Sequence, residues 1–386
     1  MRKGTKMRKT LSYAALALVL LTGLVLGGCN GGVGTTPATT ATTSTPTSTA
    51  PTTPIPTTTS TKPVSRITLT GAGATFPYPL YSKWFAEYSK VSNTDVNYQS
   101  IGSGGGIRQI KSLTVDFGAS DGIMSAKDEA DAPGKILHIP MTSGAVAVVY
   151  NLSGVASGLK LTPDVLADIY LKKIVKWNDS RITALNPGIN LPALDIAVVH
   201  RSDGSGTTYI FTNYLSKVSQ EWSSNVGSAT SVNWPGDIGG QGNEGVAGQV
   251  KQIPAAIGYV ELAYAVQNSM PFAALKNKAG SFVLPSLDAT TAAAQGIELP
   301  ADMKVMITDS TNPAAYPISG FTWILVYQQQ SDQVKGKAVV DMLWWAIHQG
   351  QQYATPLLYA PLSADAVAKA EALVRSITYQ GTTLIK

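Results

Sequence analysis

Cysteine is almost missing from this chain: Cys29 is the only one. No intrachain disulfide can form, so whatever folds must be held by its core. Histidine is nearly as scarce, with His138, His200 and His348 far apart and no HExxH pattern. Each reads as structural, and no metal or cofactor is expected. No apolar run reaches membrane-spanning length: Leu11 to Leu26 is about 16 residues, where a span needs ~20. A surplus of basic charge is also absent once its position is considered. The chain has 29 Lys+Arg and 24 Asp+Glu, but Arg2, Lys3, Lys6, Arg8 and Lys9 all precede Cys29 and no acid does. The remainder is balanced, which gives no reason to expect nucleic acid as a partner.

The start of the chain is organised for export. The basic residues, the apolar run and the small-residue exit Leu26-Gly27-Gly28-Cys29 make residues 1–28 a signal peptide. Met1 or Met7 could begin it. Cys29 stands where a lipobox cysteine would be lipidated, and two acyl chains suffice for stable anchoring. Residues 29–66 are then a linker rich in Thr, Pro, Ser and Ala, with no charge before Lys62. Such a composition buries too little apolar surface to order itself. As a flexible tether it would reach ~35 Å, and it would tolerate O-glycosylation.

From Ile67 onward the composition is globular, and about 320 residues exceed what one core usually carries, so two lobes are expected. The pattern predicts strands at Ile67–Thr70, Val96–Gln99, Ala145–Tyr150 and Leu194–Val199. It predicts helices at Pro77–Lys90, Gly105–Leu113 and Asp332–Gln349. Alternating strands and helices imply open α/β sheets.

Four Gly- and hydroxyl-rich turns flank these strands: 71–77 (GAGATFP), 102–106 (GSGGG), 116–121 (DFGASD) and 200–208 (HRSDGSGTT). Three of them are placed to open helices, whose N-termini offer unpaired N–H groups and a partial positive charge to an anion. Arg201 can grip two oxygens at once, and Asp203 can orient it. Asp121 would sit badly against a fully deprotonated anion but can accept a hydrogen bond from one that retains a proton, so it selects by repulsion. Taken singly, each turn could be an ordinary loop with a helix cap. Residues 102–106 are neither a P-loop nor a dinucleotide fingerprint. Residues 203–206 are no calcium loop, since Tyr214 stands where Glu is needed. No nucleophile elbow surrounds Ser103 or Ser205.

The stretches LTGAGATFPYPLYSKWF (69–85), NYQSIGSGGGIRQIK (97–111), VDFGASD (115–121), KIVKWNDSRITALNPGINLPA (173–193) and VHRSDGSGTTYIFTNYLS (199–216) closely resemble the PstS family, phosphate-binding proteins of high-affinity phosphate ABC transporters. GNEGVAGQVKQI (242–253), AIGYVELAYAV (256–266) and YPISGFTWILVYQ (316–328) continue the resemblance over nearly all of residues 67–386. It implies the type II periplasmic-binding-protein fold: two α/β lobes joined by a two-crossing hinge, one from 67–142 plus 318–386, the other from 143–317. It implies phosphate contacts at Thr75, Phe76, Ser103, Asp121, Arg201, Ser205, Gly206 and Thr207, with Asp203 as the partner of Arg201. It further implies a monomer that is not an enzyme, held by a lipid anchor on the outer face of the cytoplasmic membrane and serving the permease subunits of a phosphate importer. Two departures stand out. Gly104 follows Ser103 where the family often has a second serine, and Lys172 replaces a glycine ahead of KWND. A surface phosphate sensor or scavenger and a phosphatase are the competing readings, the latter lacking a visible nucleophile and base.

Overall fold

The computed structural model describes residues 65–236 and 238–385. The chain divides between Lys62 and Pro63. The signal peptide, Cys29 and all of the linker up to Val64 therefore lie outside the described residues. Arg66, the last residue of the expected linker, is tied down, its guanidinium pairing with Asp95 at 2.7 Å. Among the described residues no helix is long and apolar enough to cross a membrane.

The chain begins β1 (Ile67–Gly73), α1 (Tyr78–Val91), β2 (Thr94–Ser100), α2 (Ser103–Lys111), β3 (Phe117–Ser120) and β4 (Ile136–Tyr150). After a helical excursion come β5 (Ala197–Arg201), α3 (Gly206–Val218), β6 (Ile238–Gly240), α4 (Gly242–Gln252), β7 (Ala256–Glu261) and α5 (Leu262–Gln267). The return is made by β8 (Ser319–Tyr327) and α6 (Gln333–Ile347). These eight strands form one curled sheet in the order β2-β1-β3-β8-β4-β7-β5-β6. The pairs β2-β1, β1-β3, β7-β5 and β5-β6 are parallel. Those made by β8 and β4 are antiparallel.

Two strands therefore carry the chain between the lobes. β4 pairs with β8 through Ser319↔Ala145 and on to Tyr327↔Ile136, then continues alone to pair with β7 from Val146↔Glu261 to Tyr150↔Ile257. All 15 of its residues are buried. A sheet covered on both faces favours such unbroken burial over alternation. The register of β8 against β4 shifts between Thr322 and Trp323. Irregularities of this kind re-aim a side chain, and Thr322 proves to face the site.

Helix α1 is held by one apolar stripe. In α1, Leu80, Tyr81, Trp84, Phe85 and Tyr88 are buried, the i, i+4, i+8 spacing of a single helix face. Trp84 Nε1 donates to the Gly350 carbonyl at 2.6 Å. Trp344 and Trp345 are only partly buried and pack against the core from α6.

Several predicted boundaries move. The strand expected at Leu194–Val199 runs instead from Ala197 to Arg201, because Asp195 is held aside in an isolated bridge to Lys176. Arg201 thus ends a strand rather than following one. Gly71–Gly73 and Phe117–Ser120, read as turns, are strand. Helix α6 stops at Ile347, and Gln349–Tyr353 continue as a 3-10 helix. Lys172 has φ +61°, a left-handed conformation in which glycine is at ease and lysine is strained.

Candidate functional site

The turns converge where the carboxyl ends of the parallel strands of both lobes meet. From the first lobe come Thr75 and Phe76 after β1, Ser103 at the start of α2 and Asp121 after β3. From the second come Arg201 at the end of β5 and Ser205, Gly206 and Thr207 at the start of α3. Every one of these residues is buried. The lobes are closed on each other: the Gly206 amide donates to Ser103 Oγ at 2.9 Å and the Gly104 amide to the Gly204 carbonyl at 2.8 Å. A Cβ on Gly206 would lie 2.5 Å from Ser103 Oγ and 2.6 Å from Asp121 Cβ, so only glycine permits this approach. Gly102 has φ +82°, and a Cβ there would meet Asp203 Oδ2 at 2.2 Å.

Arg201 is the cation of the site, its side chain only 1% exposed. Nε and Nη2 are bound by Asp203 Oδ1 and Oδ2 at 2.7 and 2.6 Å. Nη1 lies 3.4 Å from Thr207 Oγ1. Burial pushes the Asp203 carboxyl up, but the Arg201 guanidinium and the Gly242 amide outweigh it and hold the carboxyl below its ordinary range. One edge of the guanidinium is thus used to orient it, leaving Nη1 for a guest.

A hydroxyl can accept two hydrogen bonds and donate one. Ser103 Oγ accepts from the amides of Asp121 and Gly206 at 3.2 and 2.9 Å. Thr75 Oγ1 accepts from Asn243 Nδ2 and the Asn243 amide at 2.8 and 3.3 Å. Thr207 Oγ1 accepts from Asn243 Nδ2 at 3.1 Å and from Arg201 Nη1. With both acceptor positions filled, each of the three hydroxyls has only its proton to offer. Ser205 Oγ accepts from the Thr208 amide at 3.0 Å and caps α3. Among the described residues, the amides of Phe76 and Thr207 donate to no protein acceptor. The Phe76 amide shares a peptide plane with the Thr75 carbonyl, which Tyr264 Oη fixes at 2.6 Å.

Against all these donors stands one acceptor. Asp121 is 1% exposed. Its Oδ1 accepts from Thr322 Oγ1 at 2.8 Å, while Oδ2 has no hydrogen-bond partner among the described residues. Burial pushes this carboxyl up to about 7, against the opposing influence of the Thr322 hydroxyl, the Arg201 charge and the Ser103 hydroxyl.

Sequence reasoning missed Asn243, Tyr264, Thr322 and Glu261. All four lie inside the stretches that carry the family resemblance, yet nothing local marks their role. Glu261 is fully buried, with its carboxyl raised well above the ordinary range by burial. The Tyr359 hydroxyl lies 2.7 Å from the Phe76 carbonyl and 3.0 Å from Glu261 Oε2, and its single proton is shared between them. Glu261 Oε2 also accepts from the Ala263 amide at 2.8 Å. His138, His200 and His348 hold structural contacts. His138 accepts from the Met124 amide, His200 stacks on Trp234 and His348 meets Glu371.

A family model described as a PBP superfamily domain matches residues 36–341. The phosphate-binding protein PstS of Xylella fastidiosa strain 9a5c is 48% identical over 316 residues, covering 81% of this chain and 86% of that protein. The chain belongs to the PstS family. Its reach extends to the archaeon Methanocaldococcus jannaschii, whose phosphate-binding protein PstS is 39% identical over 316 residues, 75% of this chain and 80% of the relative. In fold, the family's architecture is matched by a high-affinity periplasmic phosphate-binding protein (PfluDING) solved with phosphate, with a TM-score of 0.64 at 22% identity over 79% of this chain and 93% of that one.

Proposed function

We propose that this chain captures inorganic phosphate between its lobes and delivers it to the membrane subunits of a phosphate ABC importer. The observation that carries the reading is the imbalance of the pocket: three hydroxyls restricted to donation, two unengaged amides and Arg201 Nη1 face a single unpartnered acceptor, Asp121 Oδ2. A guest must present many acceptors and one proton. Monohydrogen phosphate does so, and sulfate lacks the proton. Relatives that carry the name phosphate-binding protein support the same ligand.

In this reading Phe76 and Thr207 contribute amides, and Thr75, Ser103, Ser205 and Thr207 contribute hydroxyls. Gly206 lets the wall of α3 approach, Arg201 supplies the charge, and Asp203 holds Arg201 in place. Each lobe brings part of the set, so the anion biases the equilibrium toward the closed form. The hinge divides the chain near 142/143 and 317/318. The chain acts as a monomeric receptor, not an enzyme, tethered through a lipid on Cys29 to the outer face of the cytoplasmic membrane.

Calorimetric titration of the purified protein with phosphate, sulfate and arsenate tests the reading. Tight, stoichiometric phosphate and arsenate binding with weak sulfate binding is expected. Sulfate bound as tightly as phosphate would contradict it.

A further inference from the structure

We infer that Asn243, a residue that would not itself touch phosphate, is the positioning residue that sets the direction of the pocket's hydrogen bonds and latches its two walls. The inference rests on the phosphate reading above. Asn243 is fully buried in the first turn of α4. Its Oδ1 accepts from the Glu261 amide at 2.9 Å. A backbone amide can only donate, so this contact fixes which end of the side chain is oxygen and which is nitrogen. Nδ2 then has two hydrogens and two hydroxyls to meet: Thr75 Oγ1 at 2.8 Å and Thr207 Oγ1 at 3.1 Å. The backbone amide of Asn243 adds a second bond to Thr75 at 3.3 Å.

Two consequences follow from this donor count. First, Asn243 helps turn the hydroxyl protons of Thr75 and Thr207 outward, toward an anion, by occupying the lone pairs behind them. A carboxylate in its place would accept those protons, reversing both hydroxyls and adding negative charge beside the guest. Second, Asn243 stands on the second lobe and Thr75 on the first, so this bond exists only when the lobes are closed. It acts after phosphate has entered, and its removal speeds release rather than slowing capture.

The test compares the full chain with N243A and N243D. Phosphate affinity is measured by calorimetry at pH 7.5 and 5.5, association and dissociation rates by stopped flow, and ligand-free Tm as a check on folding. At pH 7.5, N243A is expected to bind about tenfold more weakly, through faster dissociation, and N243D at least about 100-fold more weakly. At pH 5.5 the N243D deficit should shrink toward that of N243A, because a protonated carboxyl can again donate. The surrounding Asp121, Arg201, Asp203, Glu244, Glu261 and Tyr264 are common to both variants, so their titration cancels. N243D binding as tightly as N243A at pH 7.5, or a gap that does not change with pH, would overturn the polarity assignment. Slower association with unchanged dissociation in N243A would overturn the latch, and that comparison stands even if N243D fails to fold. A wild-type chain that does not bind phosphate would instead overturn the proposed function, while a tight wild type matched by both variants would overturn this inference alone.

Discussion

The two walls of the pocket are built from the same materials and do opposite work. Both use a parallel strand, a glycine-bearing turn and a helix N-terminus. The second-lobe wall holds the cation, and its Arg201 is locked by Asp203 at 2.7 and 2.6 Å. The first-lobe wall holds the acid, and Asp121 keeps one oxygen without a partner among the described residues. In the proposed reading one wall attracts any oxyanion and the other rejects those without a proton. That reading places affinity and selectivity on separate lobes, with closure applying both at once.

The largest effect is expected from breaking the attracting wall. Arg201→Ala removes its cation and strands Asp203, half of a buried pair whose disruption costs about 3–5 kcal/mol. Phosphate Kd, read by calorimetry, should rise by two to four orders of magnitude, with sulfate weakened in parallel so that the ratio barely changes. A rise below twofold would remove Arg201 from the site. Next comes the contact between the walls. Gly206→Ala places a methyl 2.5–2.6 Å from Ser103 and Asp121, and overpacking of this kind costs about 1–3 kcal/mol. Both anions should weaken, with small-angle scattering showing a more open molecule in saturating phosphate.

A smaller loss is expected when only the orientation of a donor is disturbed. Tyr264→Phe deletes the hydroxyl that fixes the Thr75 carbonyl, leaving the Phe76 amide less well aimed. A loss of about 1 kcal/mol, roughly fivefold in Kd, is expected. Smallest of all is a change away from both walls. Lys172→Gly relieves a left-handed backbone at φ +61°, and should raise thermal stability by about 0.5–1 kcal/mol while leaving phosphate binding unchanged. Calorimetric unfolding checks the first half of that statement and titration the second.

What could be read from the sequence was local. The four turns, Arg201 with Asp203 two residues on, and the solitary acid Asp121 are each visible in a window of a few residues. So is α1, whose apolar face repeats with helical spacing. The first half of β4 was not legible: His138, Pro140 and Thr142 interrupt an apolar run, and only burial on both faces makes them strand. The supporting residues were hidden for a different reason. Asn243 meets Thr75 across 168 positions, Tyr264 meets it across 189, and Thr322 meets Asp121 across 201. Such pairings are made by the topology, in which β8 returns beside β3 and α4 and α5 bring Asn243 and Tyr264 to the turn after β1.

The measurement that bears most directly on the account is the ratio of phosphate to sulfate affinity as pH falls, for the wild type and for Asp121→Asn. Burial holds the Asp121 carboxyl at about 7 in the ligand-free site. Above that pH it is charged and rejects sulfate; below it the acid becomes neutral and can donate to sulfate instead. The wild-type ratio should therefore be high at pH 8 and fall through pH 7 to 6. The Asp121→Asn ratio should be low throughout and should report any dependence that comes from phosphate's own titration. Equal ratios in the two proteins across that range would contradict the claim that one acid, facing a wall of donors, demands a protonated guest.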